Sequence, residues 1–236
     1  MGNIKRMPKL AIDEVLLLVD TYFQMKEISS SAIRKDMIQE LSDNMRKLPF
    51  NPEFKSDPAY RSVSGMNMCL SNVASLERKS LMHSSKMQRK VFDYYKEQTD
   101  KLHKLSMSII SVSNYEFPIL NEYSDNIEGM ILPSYCRFIE HNNSTVRSLK
   151  KELYSYHKTV CNVCKDDLFP KYGENTLDIM ELHLNRLLSD FYISDKITPS
   201  DLVLVCPNCH RMAHLQPENY TLGFMSEIKG ELNVQL

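Results

Sequence analysis

The chain has no excess of charge of either sign. Its 29 Lys and Arg stand against 30 Asp and Glu, a formal net charge of −1 over 236 residues. No overall field therefore draws it to nucleic acid, and any such contact has to come from local patches. No apolar run approaches the length of a membrane span. The opening Met1-Gly2-Asn3-Ile4-Lys5-Arg6 lacks the apolar core of a secretory leader, and Arg6 stands where a myristoylation signal wants Ser or Thr. There is no internal repeat and no low-complexity tract. Tryptophan is absent, which excludes no fold class. Cysteines are few. Of the six, Cys69 and Cys136 stand alone and the other four form two close pairs, which fits a reducing, cytoplasmic compartment. The Asn-x-Ser/Thr sequons near Asn142 are then chance matches. The length has room for one large or two small domains, and 42% apolar residues suffice for a core.

Apolar residues at helical spacing predict a helix over residues 11–26, through Ile12, Val15, Leu16, Val19 and Phe23, with Asp13 and Glu14 in its first turn. A second runs from Ser31 to Leu48, and a third, shorter, from Gly65 to Leu76. A single long helix is expected from Lys86 to Val112. Pro49, Pro52 and Pro58 mark a loop. Residues 1–112 thus read as a helical domain. Residues 113–143 read as a linker, 144–225 as a second domain and 226–236 as a tail. In the second domain a helix is expected over Ser144–Tyr156, strands over Leu177–Leu182 and Asp201–Val205, and a helix from Pro207, a favoured first-turn position for proline.

The chemistry concentrates in that second domain. Cys161 and Cys164 form one Cys-x-x-Cys pair, and Cys206 and Cys209 a second. Four thiolates at this spacing are a tetrahedral site for structural zinc. His210 and His214 lie four apart on the expected helix, so both imidazoles share a face, as two ligands of one metal require. His183 comes from the preceding strand. The three histidines are candidate ligands of a second divalent metal.

The stretch from Cys161 to His214 resembles the HNH endonuclease domain of the treble-clef, ββα-metal kind (McrA-like). The similarity rests on Tyr172-Gly173, on Glu181-Leu182-His183-Leu184, and on Asp201-Leu202-Val203-Leu204-Val205-Cys206-Pro207-Asn208-Cys209-His210-Arg211-Met212-Ala213-His214. Upstream, Tyr60-Arg61, Gly65-Met66, Met68, Leu70, Asn72-Val73 and Ser75-Leu76 are similar to a segment of the N-terminal domain of predicted HNH restriction enzymes. So are Lys5-Arg6-Met7-Pro8, Asp13-Glu14-Val15-Leu16 and Glu128-Gly129. The resemblance implies an α+β protein: a helical N-terminal domain that recognises DNA, including modified DNA, then a treble-clef HNH domain. It implies a restriction-type, anti-phage endonuclease that hydrolyses phosphodiester bonds with Mg, Mn, Ni or Zn. RNA as substrate stays open, and a homodimer would supply two active sites for two strands.

One feature departs from that pattern. The family has two adjacent histidines, a metal ligand and a general base. Here His183 falls on the first and Leu184 on the second; shifted by one, His183 becomes the base and Leu182 its neighbour. Losing a positioned base costs roughly 10²–10⁴ in rate. His157, Asn185 and Asp178 are conceivable stand-ins. The alternative is an inactive, zinc-stapled module that binds nucleic acid or protein. The resemblance makes His183, Asp201 and Arg211 the catalytic candidates, with Asp201 bracing the hairpin. Arg147, Lys150, Lys151, Lys158 and Lys165 form a basic patch for phosphates, and Arg186 and Arg211, which flank the histidines, are the candidates to clamp a phosphate by charge and bidentate geometry. Lys86, Arg89 and Lys90 share a helix face in the N-terminal domain.

Overall fold

The computed structural model describes residues 7–78, 84–113, 130–142, 148–152, 159–185 and 201–214. The chain divides into two compact units, residues 1–116 with 121–131, and residues 117–120 with 132–236. Among the described residues no helix is long and apolar enough to cross a membrane.

The first unit is helical: α1 (Ile12–Lys26), α2 (Ser31–Lys47), a 3-10 turn (Pro52–Phe54), α3 (Val63–Glu77), α4 (Lys86–Tyr95) and α5 (Thr99–Val112). Helix α1 is its centre and packs against the other four. Every residue from Ile12 to Asp20 is buried, which a helix tolerates only when neighbours cover it all round. The starts of the helices follow from the sequence. Ser30 and Ser62 accept from Ile33 and Gly65 N–H, and Ser85 and Gln88 cap each other's backbone N–H groups reciprocally. At α1 only the Glu14 half of such a box forms, on the Ala11 N–H at 2.7 Å.

The long helix expected over Lys86–Val112 is two. It would have run about 40 Å, roughly twice the length of α1. Gln98 leaves the helical region at φ −137°, and α4 and α5 both fold back onto α1.

Burying Glu14 and Arg61 is possible because they satisfy each other. Arg61 grips both Glu14 oxygens, at 2.5 and 2.7 Å, and donates to the Pro8 and Lys9 carbonyls. Asp13 is buried too, and accepts from the Met130 and Ile131 N–H groups.

The second unit carries α6 (Ile131–Asn142, from Leu132 onward), α7 (Phe169–Tyr172), a 3-10 turn (Gly173–Asn175), α8 (Thr176–Ile179), β1 (Glu181–Leu184), β2 (Leu202–Val205) and α9 (Pro207–Ala213). Gly173 ends α7 at φ 55°, where a side chain would be strained. β1 and β2 are antiparallel, with Glu181 opposite Val205 and Leu184 opposite Leu202. The strand expected from Leu177 begins only at Glu181, because Thr176–Ile179 closes a helical turn first. Helix α6 lies inside the stretch expected to link the domains. Residues 148–152 are helical, as expected within Ser144–Tyr156, whose remaining residues lie outside those described.

Candidate metal centre

The four cysteines meet. Their sulfurs lie within 4.8 Å of one another, with Cys164 and Cys206 Sγ at 3.9 Å. Sulfurs about 2.3 Å from a tetrahedral zinc sit about 3.8 Å apart, whereas a disulfide needs about 2.05 Å. The first pair rides on a tight turn. The Lys165 N–H returns to the Cys161 carbonyl at 3.0 Å, and Lys165 takes the left-handed conformation at φ 62°. Asn162 ties this turn to β2, donating from both its backbone and its side chain to the Leu204 carbonyl. The second pair sits at the start of α9, with Cys206 as N-cap and Pro207 next. Burial opposes charge on Cys161, but the N–H groups of Cys206, Cys164 and Val163 outweigh it and lower its pKa. Burial and the hydrogen bond and charge of Cys161 push the Cys164 thiol up to about 12. Cys209 rises as well, by burial and the same charge. One thiolate is comfortable there; four need a cation. The cluster could bind a metal such as zinc.

The three histidines also converge, and a residue the sequence did not flag joins them. Alternation along β1 puts Glu181 and His183 on the face toward α9 and Leu182 and Leu184 on the other. From α9 and its C-cap, His210 and His214 present their Nε2 atoms 2.9 Å apart. From α6 comes Glu140. Its Oε2 lies 3.1 Å from His210 Nε2 and 2.9 Å from His214 Nε2, and its Oε1 lies 3.1 Å from His183 Nδ1. All four side chains are buried, Glu140 and His183 completely, and their donor atoms lie within 4.8 Å of one another.

Glu181 supports this cluster from the side, its Oε2 2.5 Å from His210 Nδ1. Burial would raise the Glu140 carboxyl, but the hydrogen bonds of three histidines hold it well below the usual range. Burial disfavours charge on His210, yet Glu140 and Glu181 more than offset this and lift its pKa to about 9. His214 goes the other way: burial, helped by charge on His210 and His183, outweighs Glu140.

The remaining sequence candidates are placed as follows. Leu184 is 1% exposed, and its backbone N–H donates to Glu140 Oε1 at 2.8 Å. Asp201 stays outside the cluster; its carbonyl accepts from the Asn185 N–H at 2.7 Å, at the end of the hairpin. Arg211 is exposed on α9 beside His210. Lys151 is exposed and Lys150 half-buried; burial lowers the Lys150 pKa against the pull of Glu181 and Asp178. Arg147, Lys158 and Arg186 lie outside the described residues. One signal for Glu140 was available: it continues the i, i+4 row of Leu132 and Cys136, both buried, so a carboxylate falls on an apolar stripe.

Comparison of the chain with protein-family models, with curated proteins and with solved structures yields no match.

Proposed function

We propose that this chain is a metal-dependent phosphodiesterase of the HNH kind, a treble-clef ββα domain that cuts DNA and is slowed by the loss of its general base. The observation that carries this reading is the convergence of His183 from β1 with His210 and His214 from α9, beside the four-cysteine cluster. The donor sets fit two metals: sulfur for a structural zinc, and nitrogen with carboxylate for a second divalent cation. The second cation would be held by the three histidines, and when bound it supplies charge stabilisation for the scissile phosphate and the departing oxygen. The chain's own groups do the rest. Glu181 fixes the orientation of His210 through Nδ1. Arg211, exposed on the same helix, meets a neighbouring phosphate. The Asp201 carbonyl closes the hairpin that carries His183.

Leu184 accepts no proton, and this favours a second reading: a zinc-stapled module that binds without cutting. Plasmid cleavage in Mg²⁺, Mn²⁺ and Ni²⁺, on modified and unmodified DNA, separates the two. Cutting by the natural chain that is lost in His214→Ala supports the nuclease. No cutting in any metal sinks it and leaves the binding module.

A further inference from the structure

The three histidines leave a question of their own: what Glu140 does among them. Two of its contacts close a triangle with the contact between His210 and His214. Glu140 Oε2, His210 Nε2 and His214 Nε2 are separated by 3.1, 2.9 and 2.9 Å. An imidazole nitrogen carries either one hydrogen or one lone pair, in the plane of the ring. If both nitrogens carry hydrogens for the carboxylate, the nitrogen–nitrogen contact sets two N–H groups against each other. If either gives up its hydrogen, it turns a lone pair toward a carboxylate. Hydrogen bonds alone cannot satisfy all three sides. A cation at the centre does, because each atom then offers it a lone pair.

The spacing agrees. Oxygen and nitrogen donors about 2.0–2.1 Å from a tetrahedral centre lie about 3.3 Å apart. The closest approaches of Glu140 to the three histidines are 2.9 to 3.1 Å. Burial agrees as well, since a carboxylate with no exposure needs a compensating charge. His210 adds its own mark: its other nitrogen rests on Glu181, the pairing that orients a metal-bound imidazole.

We propose that Glu140 is itself a metal ligand, completing with His183, His210 and His214 a closed, four-donor site for one divalent cation. Structural zinc sites are closed by four protein ligands, whereas catalytic ones keep one position for water or substrate. Glu140 fills that position. Taken with the nuclease reading, on which this last step rests, Glu140 has to withdraw before a substrate phosphate oxygen can reach the cation. No bond to Glu140 is made or broken beyond that coordination, and its carboxylate stays ionised throughout.

The test uses the full chain with zinc in the four-cysteine cluster and Co²⁺ as the probe, titrated into wild type, Glu140→Gln, Glu140→Ala and His210→Ala. Glutamine matches glutamate in size and can keep the Leu184 N–H hydrogen bond, so Glu140→Gln separates ligation from packing. Wild type is expected to take one Co²⁺ beyond the cysteines, with the intense visible bands of four-coordinate cobalt. His210→Ala is expected to lose it. Both Glu140 variants should bind more than about 100-fold more weakly, beyond what losing a partner that only orients a ligand costs, with weaker bands as water enters. Retained zinc and an unchanged far-ultraviolet circular dichroism spectrum show that a variant is folded. Glu140→Gln binding within about tenfold of wild type, with the same spectrum, overturns the ligand assignment and leaves the histidine site standing. No uptake by wild type overturns both this assignment and the nuclease reading. With cobalt saturating, Glu140→Gln should cut plasmid faster than wild type; slower cutting overturns the withdrawal step alone.

Discussion

Glu181 gives the most direct access to how the histidine cluster is held. Its carboxylate accepts the His210 Nδ1 hydrogen, and in the neutral imidazole that a metal requires this leaves the Nε2 lone pair for the cation. A free imidazole can place its hydrogen on either nitrogen. Removing Glu181 therefore lets His210 rotate and lets the hydrogen move to the nitrogen that should ligate. Partners of this kind contribute about 10–100-fold to metal affinity, or about 1.4–2.7 kcal/mol. The Glu181 side chain is 34% exposed, so solvent screens its charge and the lower end applies. Glu181→Ala should weaken the second metal equivalent about tenfold. Glu181→Gln, which keeps an acceptor oxygen, should weaken it only a few-fold. Zinc competition against a chromophoric chelator, with the four-cysteine site already loaded, measures both. Wild-type affinity in Glu181→Ala would show that this contact does not orient His210.

Four further outcomes are expected. Burial raises the Asp13 pKa from 3.8 to about 6, so the fold favours the neutral acid; that stabilisation is complete below pH 4 and lost as the pH rises through 6. Asp13→Asn should therefore gain about 2 kcal/mol on wild type between pH 4 and 7, read from urea melts by circular dichroism, and parallel curves would contradict it. Cys164→Ser should release zinc and collapse amide protection over 159–185 and 201–214, because two four-residue strands and a seven-residue helix are marginal alone; hydrogen exchange should show the first unit unchanged. Leu184→His should lower stability without speeding plasmid cleavage, since position 184 faces away from His183 and is buried; a faster enzyme would show that the strand rearranges. Arg211→Ala should weaken DNA binding and reduce its salt slope by about one; an unchanged slope removes Arg211 from the interface.

Much of the candidate site was legible because its spacing is local. Cys-x-x-Cys places two sulfurs on one turn, and His210 and His214 share a helix face by the 3.6-residue period. Helices α1, α2 and α3 were readable for the same reason, since each buries an apolar stripe that repeats every three or four residues. Lys96–Lys101 are all polar, so the apolar stripe lapses between Tyr95 and Leu102, and the chain breaks there into α4 and α5, each packed on α1.

By itself, the sequence determined the two Cys-x-x-Cys pairs, the His210–His214 spacing and helices α1, α2 and α3, because each depends on neighbours a few positions apart. Only the tertiary structure decided that Glu140 joins histidines 70 and 74 residues downstream, that Glu181 braces His210, and that Leu184 turns away from His183. A donor contributed across such a distance obeys no spacing rule. It is chosen by the buried charge it has to balance once the chain has folded.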